Sequence, residues 1–112
     1  MCIRDRFIKE FNYYLNVLKN FSDWTIQRLE TNKDDVSAAA NDYLKTLGYI
    51  SLAFSWIKVL NISFKDYEEN KKFYDDKINT AKFYFDKVLP RAEQHYKSAI
   101  TGSLNIMNFK FS

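Results

Sequence analysis

The residue types that carry most enzyme chemistry are scarce in this chain. One histidine, His95, and one cysteine, Cys2, stand among 112 residues. A metal centre inside a helical bundle needs several carboxylates and, in the ferritin-like form, a Glu-x-x-His pair. The residue three before His95 is Ala92, so that site is excluded and His95 is expected at the boundary of an apolar stripe, one nitrogen towards solvent. Nucleophilic catalysis fails too, because His95 has no partnered thiol and Cys2 lies in the first six residues. The acid pairs Asp34/Asp35, Glu68/Glu69 and Asp75/Asp76 are sequence neighbours. On a helix such neighbours point about 100° apart, which suits caps and solvated faces rather than paired acid–base work. Two isolated glycines, Gly48 and Gly102, cannot build a phosphate-cradling loop. No catalytic, cofactor-binding or metal-binding residue is expected.

Aromatic residues interleave with lysines between Lys71 and Lys87, a pattern that single-stranded nucleic acid can exploit. Tyr74 and Phe85 fall on an apolar stripe, however, which leaves too few exposed rings. Phe, Tyr, Ile, Asn and Lys together supply 50 of the 112 residues, and lysine outnumbers arginine by 13 to 4. Drift towards A/T-rich codons accounts for that excess better than a dedicated aromatic site. The net charge of +3 is modest and the signs alternate, so no nucleic-acid partner is expected. The longest apolar stretch, Leu47 to Leu60, has fourteen residues and includes Lys58. That is short for a bilayer span and fits a core helix, so no membrane partner is expected. A lone cysteine and no signal peptide make a reducing cytoplasm the expected location.

Few breakers, two Gly and one Pro, point to a small number of long helices. Phe7, Phe11, Tyr14, Leu15, Leu18, Phe21, Ile26 and Leu29 recur at helical spacing from about Ile3 to Thr31, and Tyr13, Val17 and Trp24 widen the apolar arc enough to touch two neighbours. Asn32 to Asp35 is the expected connection, with Asp34 or Asp35 capping the second helix. That helix, from about Val36 to Asn61, is apolar nearly all round in its second half, and Gly48 within it suggests a close helix approach. Asn61 to Lys65 is expected as a loop. A third helix from near Asp66 carries Tyr74, Ile78, Ala81, Phe85, Leu89, Ala92, Tyr96 and Ala99 on one stripe. The stripe stays in phase across Pro90, which predicts a kink there with the Asp86 carbonyl freed towards solvent. Thr101 to Ser103 is a candidate end, with Leu104, Ile106 and Met107 able to prolong the helix and residues 108–112 expected to fray despite Phe109 and Phe111. The expected fold is all-α, an up-down-up bundle of three long antiparallel helices with the third kinked at Pro90.

Met1 to Arg6 holds the only Cys and two of the four Arg. It looks like an adapter-derived start on a metagenomic gene translation, the plain alternative being a native polar lead. The expected organisation is a non-native leader 1–6, a helical domain 7–108 and a tail 109–112, as the end of a larger protein.

At two places the sequence is specific. Ala38-Ala39-Ala40-Asn41-Asp42-Tyr43-Leu44, followed by Leu47-Gly48 and an apolar run through Trp56, resembles the second helix of the extra C-terminal domain of certain acyl-CoA dehydrogenases. Thr80-Ala81-Lys82-Phe83-Tyr84-Phe85 with Val88-Leu89-Pro90 resembles that domain's other signature. This acetyl-CoA dehydrogenase-like C-terminal domain occurs in enzymes that include the methylmercaptopropionyl-CoA dehydrogenase group. Lys82 departs from the family's usual arginine and gives up a bidentate fork. The resemblance implies an accessory domain of an FAD-dependent flavoprotein oxidoreductase that oxidises an acyl-CoA to the 2,3-enoyl-CoA. It places the FAD loops and the proton-abstracting glutamate upstream, and implies partners in the remaining domains and a homodimer. Asn41, Asp42, Tyr43, Gly48, Thr80, Lys82, Phe83 and Pro90 are then structural motif residues, and an Asp42–Lys82 pair is expected to set helix register. The competing function is a free-standing helical module that binds a partner helix.

Overall fold

A computed structural model describes the backbone of residues 3–111 and the side chains of residues 4–101. Helix α1 spans Ile3–Thr31, α2 Lys33–Lys65, α3 Lys71–Phe83 and α4 Pro90–Phe111. A π turn over Tyr84–Val88 joins α3 to α4, so the two form one rod bent by 21° at residue 89. The described residues thus form the expected bundle of three helices, 96% helical and without a strand. It measures 62 × 25 × 23 Å.

The connections differ from expectation for local reasons. Only Asn32 separates α1 from α2, and its side chain accepts the amides of Asp34 and Asp35 at 3.1 and 3.3 Å. Asn32 is therefore the cap, and the two aspartates are first-turn residues that suit the helix's positive end. Asn61 to Lys65 is not a loop but the last turn of α2. Ser63 is buried and donates to the Val59 carbonyl at 2.8 Å, while Phe64 packs on the core, so the apolar stripe continues through two polar residues. The chain turns instead at Asp66–Asn70, through a 3₁₀ turn at Tyr67–Glu69, and Asn70 caps α3 by accepting from Phe73 N at 3.2 Å. At the far end α4 runs through Gly102 to Phe111. The side chains of Leu104, Ile106, Met107, Phe109 and Phe111 lie outside the described residues, as do Met1, Cys2 and Ser112.

Pro90 has no N–H to offer the carbonyl four residues back. The chain adapts by closing a wider turn, Leu89 N to Tyr84 O at 2.8 Å. Asp86 is exposed, opposite the stripe, and its carboxylate takes Arg6 at 2.5 Å. Phe85, Leu89, Ala92 and Ala99 all remain buried, so the stripe holds across the bend.

Two core clusters run along α2. Phe7, Ile50, Leu60, Phe85 and Leu89 anchor one, with Phe7 and Phe85 rings 5.0 Å apart. Phe21, Ala39 and Ala99 centre the other, beside Trp24, Tyr43 and Tyr96. Gly48 corrects the sequence expectation: it is exposed, and a Cβ built on it meets nothing within 4 Å. In dilute solution Gly48→Ala should therefore stabilise the chain by about 0.5–1 kcal/mol through reduced unfolded-state entropy. Urea titration checks this, and a destabilised variant would show that the position is crowded.

Candidate functional site

A polar seam runs between α2 and α4, built on buried Thr46 and half-buried Asp42 and His95. Asp42, on the third turn of α2, meets His95, with Oδ1 2.8 Å from Nδ1. The imidazole stacks on Tyr49, ring centroids 5.9 Å apart and planes 19° apart. Between them, buried Thr46 places its hydroxyl 2.9 Å from the Asp42 carbonyl and 3.3 Å from the Ala92 carbonyl. Further along, the Tyr84 hydroxyl donates to the Tyr49 carbonyl. No buried side-chain N or O among the described residues lacks a partner. A buried seam fully satisfied in this way fixes register, because any slip strands several groups at once.

The expected Asp42–Lys82 pair does not form. Asp42 is level with His95, whereas Lys82 lies thirteen residues nearer the start of the rod, about 20 Å away along it, and is exposed. Of the other motif residues, Tyr43 is half-buried, with its hydroxyl 2.8 Å from Ser22 Oγ and its ring edge-on to Phe21 at 5.1 Å. Pro90 sits half-buried at the bend, Thr80 bonds only its own helix at Asp76 O, and Asn41, Gly48 and Phe83 are exposed. The motif residues therefore do not converge on one site. Thr46 and Tyr49 escaped sequence reasoning. Their signal was spacing, since Asp42, Thr46 and Tyr49 follow each other by four and three residues on an otherwise apolar face.

The seam has the orienting half of a catalytic triad, a histidine held by an aspartate, but no hydroxyl or thiol among the described residues is hydrogen-bonded to that histidine. No group of three or more His, Cys, Asp or Glu side chains among the described residues is placed to hold a metal. Nor do the described residues fit FAD: Gly48 lies mid-helix, so it builds no glycine loop that could cradle a pyrophosphate.

A second polar spot is a shallow groove between α1 and α4, about 260 Å³, lined by Tyr13, Asn16, Asn20, Glu93 and Lys97 among others. Tyr13 donates to Glu93, and Lys97 Nζ lies 3.2 Å from its other oxygen. The hydroxyl bond, aided by Lys97, holds the Glu93 carboxyl below its ordinary range against partial burial. The same bond holds Tyr13 up. Burial pushes Tyr14 and Tyr84 up to about 12.

The outer side of α2 is the opposite of the seam. Leu44, Leu52 and Ile62 are more than half exposed, and Leu47 and Phe54 are also open. By length and composition α2 is apolar enough to cross a membrane, yet only 22% of its most apolar window is buried. The arc that carries Leu44, Leu47, Leu52, Phe54 and Ile62 is left open by α1, α3 and α4, whereas Ile50, Ala53 and Leu60 are buried against them.

Two predictions concern the seam. A double-mutant cycle with Asp42→Asn and His95→Gln should give a coupling of about 1 kcal/mol in denaturant unfolding, and the Asp42/Lys82 cycle about zero. Tyr84 and Tyr14 keep their protons to about pH 12 when folded, whereas an unfolded chain releases them near 10. Stability should then fall as pH rises above about 10, by at most about 1.4 kcal/mol per pH unit for each tyrosine. Tyr84→Phe should reduce that alkaline slope while costing about 1 kcal/mol at neutral pH for the lost bond to Tyr49, as pH-dependent unfolding will show.

Neither the curated proteins nor the solved structures gave a match to this chain. The model of one family, described as acetyl-CoA dehydrogenase C-terminal like, matches residues 4–110. With nearly its whole length matched and the helical bundle in place, the chain belongs to the acetyl-CoA dehydrogenase C-terminal-like family.

Proposed function

We propose that this chain serves as the C-terminal accessory domain of an FAD-dependent acyl-CoA dehydrogenase, packing on the catalytic domains or the dimer partner. The parent oxidises an acyl-CoA to the 2,3-enoyl-CoA, with FAD and the catalytic base held by residues upstream of this segment. The observation that carries this reading is the family match over residues 4–110. One feature of the structure supports it: α2 leaves an apolar face that a larger assembly would cover.

The chain's own residues would then supply shape and contact, not chemistry. The seam at Asp42 and His95 fixes the relative height of α2 and α4, and with it the shape presented to the parent. A free-standing interaction module would share the exposed apolar face, and the gene separates the two: an open reading frame continuing upstream into dehydrogenase domains favours the accessory role. In that longer protein, deleting the segment equivalent to residues 4–110 should lower the melting temperature and disturb assembly while leaving the flavin-binding residues intact. Unchanged stability, assembly and acyl-CoA oxidation in the truncated enzyme would overturn the reading.

A further inference from the structure

We propose that the outward face of α2 is a self-pairing surface, on which a second copy of this chain lays its own α2 antiparallel. The idea sharpens the partner suggested above. It is tested on the 112-residue chain, so it stands or fails apart from the dehydrogenase assignment.

The face is anomalous for a surface exposed to water. Between Leu44 and Ile62 the outward arc of α2 holds Leu44, Leu47, Leu52, Phe54 and Ile62, the small residues Gly48, Ser51 and Ser55, and Lys58, with exposed Lys45 at its edge beside Leu52. Leu44 is 66% exposed, Leu52 54% and Ile62 54%. A helix at the surface of a bundle normally turns charged residues outward, and α1 does so with Lys9, Lys19 and Asp23.

The order of residues along the face selects the occupant. A two-fold contact is made by one patch on both subunits, so its pattern must match itself when reversed. About Ala53 it does. Leu44 and Ile62 mark the two ends, Leu47 is balanced by Val59, and Ser51 is balanced by Ser55 across the middle. Along the midline of the face the central residues are small, Ser51 and Ser55, and Leu52 and Phe54 flank them on the two sides, so two backbones can approach where they cross. Gly48 lies level with Lys58 of the second copy in this arrangement, and the open space above Gly48 receives the lysine's aliphatic stem. A glycine that costs about 1 kcal/mol inside an isolated helix thereby gains a purpose.

Charge fixes the direction. Parallel helices would set the two Lys58 side chains at the same height. The antiparallel pair keeps them ten residues apart, about 15 Å along the axis, beyond the screening length of about 8 Å at physiological salt. The α1 side of the face adds contact area: a groove of about 230 Å³ lined by Phe11, Leu15, Leu18, Ile50, Ser51 and Phe54 borders it. The two-fold brings this flank from both copies together.

Sedimentation equilibrium across a range of concentrations tests the proposal. The chain should pass from monomer to dimer, and no further. Ser55→Glu places two carboxylates about 6 Å apart along the axis of the pair and should raise the dimer dissociation constant at least about tenfold. Ser55→Lys should do the same. Mixing the two variants should restore association, because position 55 of one copy then meets the opposite charge on the other. Gly48→Ala should weaken the dimer while stabilising the monomer, and circular dichroism melting of each variant in dilute solution confirms that its fold is kept. A chain that stays monomeric, variants that associate as before, or mixed variants that fail to recombine would each overturn self-pairing. So would binding of the face to phospholipid vesicles or to the parent's catalytic domains in preference to a second copy.

Discussion

The constraint on which this structure depends is the covering of α2. Its apolar residues run nearly all the way round, and two neighbouring rods reach only about half of a helix's circumference. Ile50, Ala53 and Leu60 take the covered half. Alanines at 39, 53, 81, 92 and 99 bring the rods close, and the rings of Phe7, Phe21 and Phe85 fill what remains between them. The other half of α2 has no cover within the described residues, and that excess is where the molecule points beyond itself.

Alanine-rich contacts are smooth and give little resistance to sliding. The polar seam supplies that resistance. Thr46 bridges to α4 at Ala92, Asp42 holds His95, and Tyr84 reaches back to the Tyr49 carbonyl. Net stabilisation from such groups is small because water is given up to make them. Their effect is on register: displacing α4 by one turn would break the Thr46–Ala92 and Asp42–His95 contacts together. The same helix thus carries a polar seam within its covered half and an apolar face towards water, where a surface helix ordinarily turns polar residues outward.

Much of the fold was legible because apolar spacing is a strong signal in long helices. The stripe from Tyr74 to Ala99 stayed in phase across Pro90, and the rod is accordingly bent and unbroken. Cap choice was less legible. Asn32 and the two aspartates after it all have suitable side chains, and only backbone geometry selects Asn32, with its extended φ of −156° and ψ of 93°. The turn at 61–65 was misplaced because Asn61 and Ser63 are polar, although a serine can bond its own helix and stay buried. Partner choice at Asp42 was not legible, since it depends on how far α4 has risen beside α2 and both Lys82 and His95 were chemically suitable. Gly48 was misjudged for a related reason. Glycine announces room beside the backbone, but sequence alone does not say whether a neighbour of the same chain occupies it.

The bend at residue 89 is held rather than hinged. Arg6 grips Asp86 before the bend and Tyr13 grips Glu93 after it, pairs that are each eighty residues apart. Helix α1 therefore runs parallel to the bent rod and in step with it, as a splint across the π turn. Phe7 packs on Phe85 between the two pairs, so the splint is apolar where it crosses the weak point. Opening the bend would break contacts on both sides of it at once, while the carbonyl freed by Pro90 would still have no amide to accept from. A π turn and a proline in one rod commonly suggest motion. Here α1 braces the rod on both sides of its 21° bend, through Arg6 and Asp86 before it and Tyr13 and Glu93 after it.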